Sequence, residues 1–196
     1  MTTTIQPVPQ TAAPAAADVR PGATVWLTGL PSAGKTTLAL ALADELRAEG
    51  RRVEVLDGDE FRTHLSAGLG FSKEDRHTQG TRIAFVAELL ARNGVLALVP
   101  VIAPYAQTRD AARQLHDRHS TTYLEVHLST PLDVCADRDV KGLYGKAARG
   151  EISHMTGVDD PYEVPETPDL RLDTSVTDLA GSVQALLAVL TERGVR

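Results

Sequence analysis

The chain has 196 residues, 42% of them hydrophobic and 23% charged, which suits one globular domain and excludes a fibrous or wholly disordered protein. Its 20 Lys and Arg against 26 Asp and Glu leave a formal net charge of -6, which disfavours a nucleic-acid partner bound through an overall basic surface. A single cysteine excludes an internal disulfide framework and a cysteine-cluster metal site, in keeping with a reducing, cytoplasmic location.

Residues 1–22, MTTTIQPVPQTAAPAAADVRPG, are rich in Thr, Ala and Pro and have no apolar period. They read as a disordered tail; with no basic start and no apolar block they do not form a secretory signal. Residues 23–196 then read as one domain. The run TVWLT (24–28) is a strand, and after a Gly-rich loop comes a helix with Leu38, Leu42 and Leu46 on one face, closed by Gly50. A second strand, VEVL (53–56), ends in Asp57-Gly58-Asp59. Ser72 and Asp75 open a long helix in the manner of a capping box, and Ile83, Val86, Ala87 and Leu90 lie along one side of it. The third strand, VLALVPV (95–101), leads to a loop with Pro104; the apolar stretch around it is too short to cross a bilayer, which argues against a membrane partner. There follow a helix over 108–119, a strand over 123–128, a polar Gly-rich stretch over 141–168 and a short strand over 170–172. A last helix shows Leu179, Val183, Leu186, Leu187 and Leu190 at helical spacing. Strands apolar on both faces and alternating with helices predict an α/β fold, a central parallel sheet of about five strands flanked by helices.

Between the first strand and the first helix, Gly29-Leu30-Pro31-Ser32-Ala33-Gly34-Lys35-Thr36 matches the phosphate-binding pattern GxxxxGK[ST]. Glycines let successive backbone N–H groups curl around phosphate oxygens; Lys35 reaches the β and γ phosphates of ATP, and the Thr36 hydroxyl can ligate Mg²⁺. Thr37 belongs to the same nucleotide-binding run. This predicts a P-loop NTPase fold, within which the acidic residues must separate the nucleoside-kinase type from GTPases and ATPase motors. No NKxD-type base-reading motif is present, and the strand at 95–101 ends without an acid, which disfavours GTPases and ATPase motors. The acids sit instead at the end of the second strand. Carboxyl ends of parallel strands flank the ligand, so Asp57 and Asp59 face a γ-phosphate and an acceptor hydroxyl, with Asp59 orienting or deprotonating the hydroxyl and Asp57 supporting it. Arg62 and Arg76 follow, and guanidinium groups suit an acceptor with an anionic group. His116 and His119 can share a helix face but lack a third ligand at useful spacing, so no structural metal is assigned.

Four blocks carry a wider likeness: GLPSAGKTT (29–37), LDGDEFR (56–62), LGFSKEDR (69–76) and RDVKGLYGKAARGEISHMTGVDDPYEVPETPDL (138–170). Through them the chain resembles the adenylyl-sulfate kinases over nearly all of 22–190. The first block is generic, whereas the last, with KGLY, GEI, TGVDDPYE and PDL in order, is highly specific. The resemblance implies transfer of the ATP γ-phosphoryl, with Mg²⁺, to the 3'-hydroxyl of adenylyl sulfate in sulfate activation. It further implies a mobile lid over about 141–168, Arg138 near the ATP adenine and Lys141 near the acceptor. Asp59, Arg62, Phe71, Arg76, Ile102 and Ala103 would hold adenylyl sulfate. Family analogy suggests a homodimer and leaves association with an ATP sulfurylase open. The chain also departs from the family pattern. Where many members have Asn-Ile-Arg-Arg it has Gln79-Gly80-Thr81-Arg82, so a substrate-contacting Asn becomes Gln79. Met155 replaces an aromatic that covers a base, leaving softer thioether stacking. Ala103 replaces a frequent serine and excludes a phosphoserine at that position. Two other readings of the residues are a related P-loop kinase for another small anionic hydroxyl compound and a nucleotide-binding module without transfer activity.

Overall fold

The computed structural model describes residues 20–196, so the expected disordered tail lies, but for its last three residues, outside the described residues. At its centre stands β1 (Ala23–Gly29), buried at all seven positions. Five parallel strands form one sheet in the order β2-β3-β1-β4-β5, with β2 (Val53–Val55), β3 (Leu96–Pro100), β4 (Thr122–Leu128) and β5 (Leu170–Leu172). Val25 of β1 registers with Leu98 on one side and Leu124 on the other. A strand flanked in this way meets helices on both faces, which explains its unbroken apolar reading.

Helix α1 (Lys35–Ala48) follows β1, α2 (Gly58–His64) and α3 (Lys73–Ala91) join β2 to β3, and α4 (Ala106–Arg118) joins β3 to β4. Helices α5 (Leu132–Arg138) and α6 (Leu143–Ala148) lie between β4 and β5, and α7 (Leu179–Glu192) closes the chain. On one face, Val25 and Leu27 pack with Leu38, Leu42 and Leu46 of α1 and Leu186, Leu187 and Leu190 of α7. On the other, Trp26 and Val99 pack with Ile83, Ala84 and Ala87 of α3 and Ala112 of α4. The helix leaving β1 therefore covers one face and the helix leaving the adjacent β3 covers the other. A crevice opens between the carboxyl ends of two such strands, and ligands of open α/β sheets bind there. Among the described residues, no helix is long and apolar enough to cross a membrane.

Half of the capping box at α3 forms: the Ser72 side chain accepts from the Asp75 N–H, while the Asp75 carboxylate accepts from the Gly70 N–H rather than from that of Ser72. Helices α2, α5 and α6 correct the plainer picture of strand ends and a polar loop. They span seven, seven and six residues, too short to display an apolar period and dependent on packing for their stability. Gly80 has a steric reason: a Cβ there would stand 2.2 Å from Thr108 Cγ2, so its absence lets α3 and α4 approach.

His127, at the carboxyl end of β4, is buried and stacked on Tyr162 with ring centroids 5.7 Å apart. Burial, aided by Arg171 and Arg109, pushes its pKa from 6.5 down to about 4. The unfolded chain takes up this proton near pH 6.5 and the folded protein only near pH 4. Its contribution to stability is therefore intact above that window and is lost as the pH falls through it. We expect the melting temperature to drop across this range, and His127→Leu to flatten that part of the curve; an unchanged slope in the variant would place the acid sensitivity elsewhere.

Candidate active site

The loop from β1 to α1 is built to leave donors free. Gly34 is the N-cap of α1 at φ 92° and provides no side-chain cap, so the first-turn N–H groups of the helix remain available to an anion. Gly29 is needed for close approach, since a Cβ there would lie 2.6 Å from the Leu128 carbonyl oxygen. Lys35 is buried, and its Nζ donates to the carbonyl oxygens of Gly29 (3.0 Å) and Leu30 (2.7 Å). Burial pulls its pKa from 10.5 down to about 8; Lys141 adds to the drop, while Cys135, Asp57 and Asp59 oppose it.

The two acids of the second strand's end have separate surroundings. Asp57 is the N-cap of α2, where its Oδ1 accepts from the Asp59 N–H at 2.9 Å. Its Oδ2 accepts from the Thr36 hydroxyl at 3.3 Å, which ties this acid to the phosphate loop. Asp59, with its side chain 71% exposed, instead turns to the open cleft and pairs with Lys141. Three residues further along α2, and so on the same face, Arg62 stacks its guanidinium 4.3 Å from the Phe71 ring centroid. Arg76 approaches the same ring at 5.4 Å and donates to the carbonyl oxygens of Phe71 and His154. Burial, then mutual repulsion with Arg76, holds the Arg62 pKa below its ordinary value.

These groups line one cleft of about 660 Å³, at the carboxyl ends of the strands. It brings together all the residues singled out in the sequence except Gly29, Leu30, Ala33 and Met155. The first two present carbonyls to Lys35, and Ala33 is wholly buried. Met155 lies apart from the cleft: it is 5% exposed and packed in the core cluster beneath α1 and α7. Gln79 also does something the sequence did not disclose. Its Nε2 donates to the Gly58 carbonyl at 2.8 Å, between the two acids, while its buried Oε1 has no partner. Gln79→Leu keeps the bulk and removes that bond, worth about 0.5–1.5 kcal/mol. We expect kcat to fall by about twofold to tenfold with ATP affinity preserved, measured by steady-state kinetics with nucleotide titration; unchanged kcat would dissociate Gln79 from the Asp57–Asp59 turn.

Residues beyond β5 were missed. Arg138 donates from Nη1 to the Thr174 hydroxyl (2.7 Å) and from Nη2 to its carbonyl (2.8 Å), and Thr174, Thr177 and Leu179 line the cleft. Their signal was position alone, just past the carboxyl end of a parallel strand. Of the two helix histidines, His116 commits both ring nitrogens, to the Ala112 carbonyl and the Thr24 hydroxyl, and His119 pairs with Glu88.

Comparison with known proteins gives one consistent result. The family profile described as adenylylsulphate kinase matches residues 21–173. The adenylyl-sulfate kinase of Chloroflexus aurantiacus (strain ATCC 29364 / DSM 637 / Y-400-fl) is 54% identical over 171 residues, 87% of this chain and 90% of that protein. That of Synechococcus sp. (strain JA-2-3B'a(2-13)) is 51% identical over 175 residues, 89% of this chain and 98% of the relative. Among solved structures, the Mycobacterium tuberculosis APS kinase CysC in complex with AMPPNP and APS has a TM-score of 0.85 at 44% identity, covering 88% of this chain and 99% of that one.

Proposed function

The chain belongs to the adenylylsulphate kinase family, and from that premise we propose that it transfers the γ-phosphoryl of ATP to the 3'-hydroxyl of adenylyl sulfate, releasing ADP and 3'-phosphoadenylyl sulfate. One observation carries the reading: a phosphate loop, a carboxylate and an aromatic platform flanked by two arginines line a single cleft. The arginines suit the phosphate and sulfate of the acceptor, and Phe71 supplies a face for its base.

In the reaction the 3'-oxygen forms a bond to the γ-phosphorus as the bond to the β–γ bridging oxygen breaks. Asp59 receives the hydroxyl proton, and Lys141, paired with it here, brings positive charge to the same place. Lys35 and the free N–H groups of α1 stabilise the charge on the transferring group. The Thr36 hydroxyl and the Asp57 carboxylate, 3.3 Å apart, are hard oxygen donors of the kind that bind Mg²⁺ beside phosphate oxygens, and they would hold it. When bound, that ion supplies charge neutralisation at the β and γ oxygens. Ala103 lines the cleft and has no hydroxyl, so transfer at this corner is direct. The setting is the cytoplasm, with ATP at hand and Cys135 a free, buried thiol. Coupled ADP release with adenylyl sulfate, with the product identified by mass, tests the function. Turnover of another anionic hydroxyl compound in its place would favour the related-kinase reading, and ATP binding with no transfer to any acceptor would favour a binding module.

A further inference from the structure

The cleft wall at 102–104 holds an unusual conformation. Ala103 has φ 41°, a left-handed geometry that an L residue keeps only when its surroundings over-determine it. What holds it lies outside the cleft lining. Arg109 of α4, 3% exposed, donates from Nη1 to the Ala103 carbonyl at 2.8 Å and from Nη2 to the Glu163 carbonyl at 2.7 Å. Its Nε forms an ion pair with Glu125 of β4, 2.7 Å from Oε1. Glu163 completes the junction. Its N–H donates to the Pro104 carbonyl (2.8 Å), and its Oε2 accepts from the Ala106 N–H (2.7 Å). Tyr105, the N-cap of α4, provides no side-chain cap, so a carboxylate more than fifty residues away in the chain caps this helix and complements its dipole. Next to it the Thr28 hydroxyl donates to the Ile102 carbonyl at 2.6 Å; having one proton, it must accept from Tyr162, 2.9 Å away.

We infer that Arg109 and Glu163 are positioning residues that join the acceptor wall at 102–104 to the root of the 141–168 segment as one rigid unit, and thereby set adenylyl-sulfate affinity without touching the ligand. The inference rests on the proposed acceptor. It follows from connectivity: the Ala103 corner and Glu163 share donors with each other, whereas Lys35, Thr36 and Arg138 make their bonds elsewhere. Loss of the junction therefore displaces the acceptor wall and leaves the ATP side in place.

Arg109→Lys keeps a charge beside Glu125 but not a planar fork able to serve two carbonyls. Glu163→Ala removes the cap from an exposed position. In each variant we expect the KM for adenylyl sulfate to rise about tenfold and the KM for ATP to stay within about twofold, the scale of a displaced contact wall. Glu163→Gln still offers an oxygen to the Ala106 N–H and should recover most of the loss. Hydrogen exchange supplies a readout independent of turnover: the Ala106 and Glu163 amides should speed up together in Arg109→Lys and in Glu163→Ala, and not in Glu163→Gln. Equal changes in both KM values, no change in either, or exchange that rises at one segment alone would each overturn the inference. A wild-type protein inactive on adenylyl sulfate would instead defeat the acceptor reading, and the exchange result would still decide the junction.

Discussion

Lys35→Ala lowers kcat by about two to three orders of magnitude while the fold survives, in line with about 2.7–4 kcal/mol for one preorganised electrostatic group. The side chain is buried at the phosphate loop, and its two hydrogen bonds go to loop carbonyls rather than to the core. Its removal costs charge at the γ-phosphate more than it costs packing. Circular dichroism with single-turnover kinetics makes the measurement, and a folded Lys35→Ala enzyme of full activity would refute phosphoryl transfer assisted by this loop. A pH signature accompanies it. With burial drawing the Lys35 pKa down to about 8, the free enzyme loses the ammonium charge as the pH rises through that value. The kcat/KM for ATP should therefore fall on the alkaline side of pH 8 in the wild type, and that limb should be absent from the residual activity of Lys35→Ala.

Asp59→Asn is the second large effect, with kcat reduced by about 10²–10⁴ through loss of the group that takes the acceptor proton. ATP binding should persist, because Asp59 makes its side-chain pair with Lys141 and not with the phosphate loop. Asp57→Asn provides the contrast. Asn is an adequate N-cap, so α2 should form, yet the carboxylate facing Thr36 is lost and the deficit should appear first in nucleotide affinity. Isothermal titration with a non-hydrolysable ATP analogue, set beside kcat for each variant, separates the two roles. Should Asp59→Asn remain active while Asp57→Asn is dead on bound substrates, the proton acceptor would be Asp57.

Much of the site was legible because its chemistry is local. The residues that cradle phosphate are consecutive, and two glycines at fixed spacing followed by a lysine and a hydroxyl, between a strand and a helix, point strongly to phosphate binding. The same holds for Asp59 and Arg62, which one helical turn of α2 places on the same face. Met155 shows where local reading stops. Its motif neighbours suggest a cover for a base, whereas the structure places its side chain in the buried cluster shared by α1 and α7, which no local pattern announces.

By itself the sequence determined the strand and helix alternation, the phosphate loop, the two acids and the family to which they belong. These are recorded in periodicity and in short fixed spacings, which depend on backbone geometry alone. Tertiary structure decided the strand order β2-β3-β1-β4-β5, the separation of Asp57 toward Thr36 from Asp59 toward Lys141, the bond from Gln79 to Gly58, and the cap that Glu163 gives to α4. Each joins elements that meet only once the sheet and its helices have packed, and of the contacts named only the bond from Gln79 is made by a largely buried side chain that must find a partner. No local pattern encodes that requirement, since the partner is chosen by which elements the packing of the sheet brings within about 3 Å of one another.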